Sequence, residues 1–350
     1  MNNKTSAAPV RAYVENSTGV LELNRPQALN SLTHAMVNII DQALDQWWDD
    51  DAVHRVLVYS NSPKAFCAGG DVRAAREAIQ AGRGGEADQF FVDEYDMNNN
   101  ISEFPKPYIS LIDGFVMGGG LGLSAHGSHR VISEKASAAM PEMAIGFTPD
   151  VGMAYMFQRM TNATGSTSHA LATFLVTTGW RMTAADMIWS GLATDIVPSA
   201  DHDLFRETVY AESLDEALER YSVDTVGDSE LATLLPHIEK TFGFPTWAQI
   251  NEALDTYPDR EFVNTVTELL STANPESLVA AVELMVASAR STTLREELDH
   301  EVVLGEYIRS RPNFAEGVRS VLVDKDRNAD FTPATTGEVD VTPVRKLLKN

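Results

Sequence analysis

Glu142 and Asp150 stand eight residues apart in MPEMAIGFTPDVG (140–152), a stretch with no other charge. A solvated loop usually mixes charges of both signs, and an unpaired acid in a packed segment is costly. The two acids therefore read either as independent surface groups or as the lining of one pocket. In a shared pocket their proton affinities separate, and the pair can take a proton from water and give one back. Gly146 and Pro149 keep the acids off one continuous helix. Thr148-Pro149-Asp150 predicts the N-cap, N1 and N2 positions of a helix over VGMAYMFQRM, with Asp150 in its first turn, where the dipole favours the ionised form.

Two glycine-rich stretches could face such a pocket. In FCAGGDV (66–72), adjacent glycines let the backbone approach a ligand and present free N–H groups; an ordinary tight turn has the same composition. No Gly-Lys-Ser/Thr follows, so it is not a P-loop. In MGGGLGLSAHG (117–127), three glycines precede a helix, where unsatisfied N–H groups and the dipole favour negative charge. Close packing of helix on strand explains one or two of these glycines, and the register does not fit a dinucleotide fingerprint. Cys67, the single cysteine, reads as a small buried residue, and His126 and His129 as structural or surface residues, with no metal site expected.

In order and spacing, VLELNRPQALNSL (20–32), KAFCAGGDV, KPYISLIDGFVMGGGLGLSAHGSHRV and AMPEMAIGFTPDVG resemble the crotonase (enoyl-CoA hydratase/isomerase) superfamily. DEYDMNN, GGGLGLSAHG, the PDVG ending and FAEGVRSVLVDKDR (314–327) resemble its branch of 3-hydroxyacyl-CoA thioester hydrolases. The resemblance covers residues 11–333 and implies a ββα spiral core. It also implies an acyl-CoA substrate, with coenzyme A as part of that substrate rather than a cofactor. Carried over by position, the oxyanion-hole donors are the N–H groups of Gly70 and Gly119, and the Ala68 carbonyl contacts the adenine. Glu94 matches a substrate-contacting acid, with an ordinary helical-surface residue as the alternative. Glu142 activates water or attacks the thioester itself, and Asp150 binds a 3-hydroxyl and moves protons. Hydratases carry a catalytic glutamate where this chain has Gly122. Thr148 stands where the branch has Phe, and Met153 where it has Gly. Arg25, Lys64, Arg73 and Arg76 are candidates for phosphate contacts, with surface charge the alternative for at least two of them. Members commonly assemble as trimers or dimers of trimers.

The elements that must hold these residues follow from periodicity. Strands are expected at 19–26, 53–60, 106–114 and 130–134, and a helix whose apolar residues Met36, Ile39, Ile40, Ala43, Leu44, Trp47 and Trp48 recur every three or four positions. Residues 72–103 read as helix with a polar break at AGRGGEAD. Strands alternating with helices mean an α/β fold. A core over 11–200, a helical lobe over 201–350 ending in an extended tail after 328, and a disordered lead-in over 1–10 complete the expected organisation. The 350-residue chain is 44% hydrophobic with a net charge of -23, which speaks against a nucleic-acid or membrane surface. One cysteine and a start without an apolar run lead to the expectation of a cytoplasmic protein.

Overall fold

The computed structural model describes residues 8–224 and 226–349; residues 1–7, most of the expected lead-in, lie outside the described residues. The Val- and Leu-rich runs form buried strands stacked in two sheets. The larger has the order β1 (Val10–Glu15), β2 (Thr18–Leu23), β3 (Arg55–Ser60), β5 (Tyr108–Ile112), β7 (His129–Ile132), β10 (Asp195–Ile196). Only β1–β2 is antiparallel. The smaller runs β4 (Ala65–Cys67), β6 (Phe115–Met117), β8 (Ser137–Ala139), β9 (Met182–Thr183), with its first three strands parallel. Parallel strands need crossovers, and each passage from the large sheet to the small one and back supplies one.

α1 (His34–Trp48) is capped by the Thr33 side chain and buries Met36, Val37, Ile40, Ala43, Leu44 and Trp47, the stripe its spacing predicts. The expected helix with a polar break is a pair, α2 (Val72–Gln80) and α3 (Gly84–Glu103), separated at Ala81–Arg83. α4 (Gly119–Ala125) follows β6 directly and is buried throughout.

Three expectations are corrected. The chain enters the sheet at Val10, because Asn16 and Ser17 both take left-handed backbone and close a β1–β2 hairpin. Thr148-Pro149-Asp150 does not open a helix: α5 (Met153–Arg159) begins after Gly152, and Val151 and Gly152 are left-handed (φ 53° and 74°), which breaks the helical path. The tail ends in a helix, Thr342–Leu348, whose Val344 and Leu348 are buried and whose Arg345 Nη2 lies 2.7 Å from Glu283 Oε1. One apolar core runs from Val10 to Leu348, so helices after residue 200 pack into the same interior as the sheets.

Candidate active site

β4 and β6 lie side by side, and the loops leaving them meet. After β4, Gly69 turns with φ 100°; its carbonyl accepts from Leu32 N–H (2.8 Å), and Asp71 N–H donates to Leu32 O (2.8 Å). Those two bonds pin the loop on either side of Gly70. A Cβ on Gly70 would touch the Phe90 ring at 3.4 Å. After β6, Gly118 takes φ 47° and ψ -120° and starts α4, whose first turn has no carbonyl for the Gly119 N–H. A Cβ on Gly119 would stand 3.1 Å from the Gly70 nitrogen. Two amides without backbone acceptors among the described residues thus lie next to each other. The three glycines separate by role. Gly118 lies against the Glu142 carboxylate (2.9 Å from a built Cβ), Gly119 sits at the paired amides, and Gly120 lets α4 pack on Cys67, whose carbonyl oxygen would be only 2.5 Å from a Cβ there. Cys67 is buried, and burial pushes its thiol up to about 12, so it is inert packing.

Two carboxylates, Glu94 and Glu142, lie against this glycine backbone, and a third, Asp150, is near enough for its charge to act on both. Glu94 comes from the middle of α3, 1% exposed; a Cβ on Gly119 would lie 2.3 Å from its Oε1, which has no hydrogen-bond partner. Glu142 opens the 3-10 turn Glu142–Ile145 just after β8 and is 5% exposed, with Oε2 unpartnered. Asp150, also 5% exposed, accepts from the Tyr95 hydroxyl at 3.0 Å. Burial raises all three proton affinities. Glu94 goes well above its usual range, with the Asp150 charge adding. Glu142 does too, from burial first, then Asp150, with Glu94 contributing. Asp150 is pushed up to about 7 by burial, against the Tyr95 hydrogen bond and the Arg309 cation. The dipole-stabilised aspartate expected from the sequence is therefore replaced by one that titrates near neutrality, because it sits in a dry turn rather than on a helix end.

The Asp150 turn is tied from outside. Val151 O is bonded to His126 Nε2 (2.7 Å), and Gly152 N–H donates to Glu301 Oε2 (2.9 Å). His126 thus holds the loop, and burial lowers its pKa to about 4, which keeps the ring neutral. Thr148 is fully buried with its hydroxyl on Pro149 O (3.3 Å), and Met153 is fully buried as well. The Glu142 turn is clamped by the helix Pro312–Val318: Gly146 (φ 66°) lies on Asn313 O, and Gly317 on Ile145.

Ala68 stands two residues before Gly70, its N–H given to Leu29 O (3.0 Å). Of the candidate cations, Arg25 is engaged with Asp71 (3.0 Å) and Ser31, and Arg76 Nε with Ala315 O (2.8 Å). Lys64 and Arg73 have exposed side chains and no acid partner among the described residues. Sequence reasoning did not single out Tyr95, Arg309 or Glu301. Tyr95 was within reach, since it adjoins Glu94 in the DEYDMNN stretch. Arg309 and Glu301 enter from a helix, Leu294–Arg309, more than 150 residues after Asp150 and leave no local signal.

The sequence profile described as Enoyl-CoA hydratase/isomerase matches residues 18–348. The chain belongs to the enoyl-CoA hydratase/isomerase family. It is 37% identical to a protein of Xenopus laevis named 3-hydroxyisobutyryl-CoA hydrolase, mitochondrial, over 92% of this chain and 83% of that one. The human protein of the same name is 36% identical over 97% and 88%. Among solved structures, a carnitinyl-CoA dehydratase of Mycobacterium thermoresistibile superposes with TM-score 0.89 at 35% identity, over 97% of this chain and 96% of that one. An enoyl-CoA hydratase of Rhodobacter sphaeroides 2.4.1 gives 0.88 at 33%, over 97% of both. The fold is the α/β crotonase fold with its helical C-terminal region, and the chain is an acyl-CoA enzyme of that family. No helix among the described residues is long and apolar enough to cross a membrane.

Proposed function

We propose that this enzyme hydrolyses a short 3-hydroxyacyl-CoA thioester, 3-hydroxyisobutyryl-CoA first among them, as a step in valine breakdown. The observation that carries the reading is Gly122. A Cβ there would lie 2.6 Å from Val151 Cβ and within 3.0 Å of both Asn98 amide atoms, so an acid on α4 has no room. Water addition across a double bond in the hydratase manner needs that second glutamate. What the site offers instead is one acid on a 3-10 turn, a second that titrates near neutrality, and two adjacent amides.

In this reading the thioester oxygen lies between the Gly70 and Gly119 N–H groups, each worth about 3–4 kcal/mol once the oxyanion forms. Glu142 takes a proton from the attacking water, or itself attacks to give an anhydride that water then opens. Asp150 holds the 3-hydroxyl and passes a proton toward the leaving sulfur. Burial first and the Asp150 charge second favour the protonated form of Glu94 where it faces the amides, which spares the developing oxyanion a repulsive carboxylate. The names of the vertebrate relatives support hydrolysis; the names of the two solved structures favour the second reading, a hydratase or dehydratase on the same scaffold. The relatives are named as mitochondrial, whereas one buried cysteine in an acidic chain supports a cytoplasmic setting; cell fractionation decides between them.

The test follows thiol release from a panel of 3-hydroxyacyl-CoA esters alongside enoyl-CoA absorbance. Free coenzyme A without absorbance change supports the hydrolase; enoyl-CoA consumption without thiol refutes it, and neither signal leaves an acyl-CoA-binding protein. Glu142→Gln is expected to lose turnover. Single-turnover reaction in heavy-oxygen water, followed by mass of the Glu142 peptide, separates base from nucleophile.

A further inference from the structure

α3 and α4 lie alongside each other, and their turns meet in order. Glu94 faces Gly119; four residues on, Asn98 faces Gly122. Residues four apart share a helix face, so Asn98 lies on the side of α3 that carries Glu94 into the site. It is 0% exposed, and neither Oδ1 nor Nδ2 has a hydrogen-bond partner. A Cβ on Gly122 would stand 2.9 Å from Oδ1, 3.0 Å from Nδ2 and 2.6 Å from the Cβ of Val151, the residue after Asp150. Tyr95, three residues before Asn98 on the same helix, donates to Asp150 at 3.0 Å. A buried amide with both ends unsatisfied is rare and costly where packing is the only purpose.

We propose that Asn98 is a substrate-binding residue that selects acyl groups bearing a 3-hydroxyl. Its Nδ2–H donates to the hydroxyl oxygen while the hydroxyl donates to Asp150. The proposal rests on the hydrolase reading and adds the group that completes it. A hydroxyl offers one hydrogen and two lone pairs. Ionised acids can only accept that hydrogen, the protonated Glu94 lies one turn away at the Gly119 level, the Tyr95 hydroxyl is spent on Asp150, and Arg309 gives Nε and Nη2 to Asp88 (3.2 and 2.7 Å) while its unpartnered Nη1 is turned toward Gly305, 2.8 Å from a built Cβ there. The Asn98 amide is the neutral donor that remains beside Asp150. The spacing agrees. Four residues of α3 advance about 6 Å from the Glu94–Gly119 level, where the carbonyl sits, to the Asn98–Gly122 level. From the carbonyl carbon, two C–C bonds and a C–O bond reach roughly 3–4 Å, and a hydrogen bond adds about 2.9 Å.

The experiment measures kcat and KM for thiol release from 3-hydroxyisobutyryl-CoA and from isobutyryl-CoA, which differ only in the hydroxyl. It uses the wild-type enzyme, Asn98→Leu, which keeps the buried volume, and Asn98→Asp, which keeps the shape but removes the donor. The wild type is expected to prefer the hydroxyacyl ester. In Asn98→Leu its kcat/KM for that ester falls by about tenfold to a hundredfold, while that for isobutyryl-CoA moves by less than about threefold. Asn98→Asp loses the preference increasingly as pH rises and its carboxyl ionises. A preference kept within about twofold in whichever of the two variants folds overturns the assignment, since damage to packing alone would slow both esters together. A wild-type enzyme that releases thiol from neither ester overturns the hydrolase reading and the Asn98 assignment with it; an intact hydrolase with unmoved preference overturns Asn98 alone.

Discussion

Replacing Asp150 by Asn should make the protein more stable and less active at once. The carboxyl has an ordinary value of 3.8 and is pushed up to about 7 in the fold, mainly by burial. Between those values the folded state binds a proton that the unfolded chain has released. Stability from this group is therefore present at low pH and declines as pH rises, until the penalty is complete above about pH 7. At about 1.4 kcal/mol per pH unit, the gap corresponds to a penalty on the order of 4 kcal/mol in alkaline solution. Asn keeps the shape and an oxygen for the Tyr95 hydroxyl but carries no charge. With an unfolding entropy of about 2.1 cal/mol/K per residue, a chain of 350 residues should gain roughly 5 °C in Tm at pH 8.5. The gain should vanish near pH 4. The assay is scanning calorimetry of both proteins at pH 4, 6 and 8.5, with turnover measured in parallel. A variant with lower Tm than the wild type at pH 8.5 would refute the reasoning, because it would mean that the ionised carboxylate is held favourably.

Tyr95→Phe removes a hydrogen bond that lowers the Asp150 pKa, so the acidic limb of the kcat/KM profile should move to higher pH; a profile that does not move removes Tyr95 from the control of Asp150. Gly119→Ala puts a Cβ 2.3 Å from Glu94 Oε1 and 3.1 Å from Gly70 N, and turnover should fall about a hundredfold or more, read by thiol release with the fold checked by circular dichroism. Gly122→Glu, which writes the hydratase acid back into α4, should give no hydration and cost about 1–3 kcal/mol in urea unfolding, since the side chain meets Val151 and Asn98. Gain of hydratase activity in that variant would show that the missing acid is not limited by space.

The elements that carry the amides were readable in the sequence because their causes are local. Val and Leu runs bounded by turn residues gave the strands, a three-and-four spacing gave α1, and glycines after strands marked the two loops. The Asp150 segment was misread for an equally physical reason. Thr-Pro-Asp is a good helix start in isolation, but Gly152 N–H is claimed by Glu301, 149 residues later in the chain, and Val151 is turned left-handed. The β1–β2 hairpin was hidden because its turn is Asn16-Ser17, without the glycine that usually marks such turns. Asn98 and Tyr95 lie in a stretch of α3 whose polar residues look alike in the sequence; which of them are buried depends on where α4 and the Asp150 turn come to rest.

The clamp of the helix Pro312–Val318 on the Glu142 turn has a consequence for how the enzyme comes into being. Every acid and amide assigned to chemistry has been synthesised by residue 150, yet the turn that carries Glu142 is held at Gly146 by Asn313 and at Ile145 by Gly317. A nascent chain halfway through translation owns the whole reactive set and no rigid geometry for it. The turn is fixed only once residues 313–317 have been made and have closed over residues synthesised long before them.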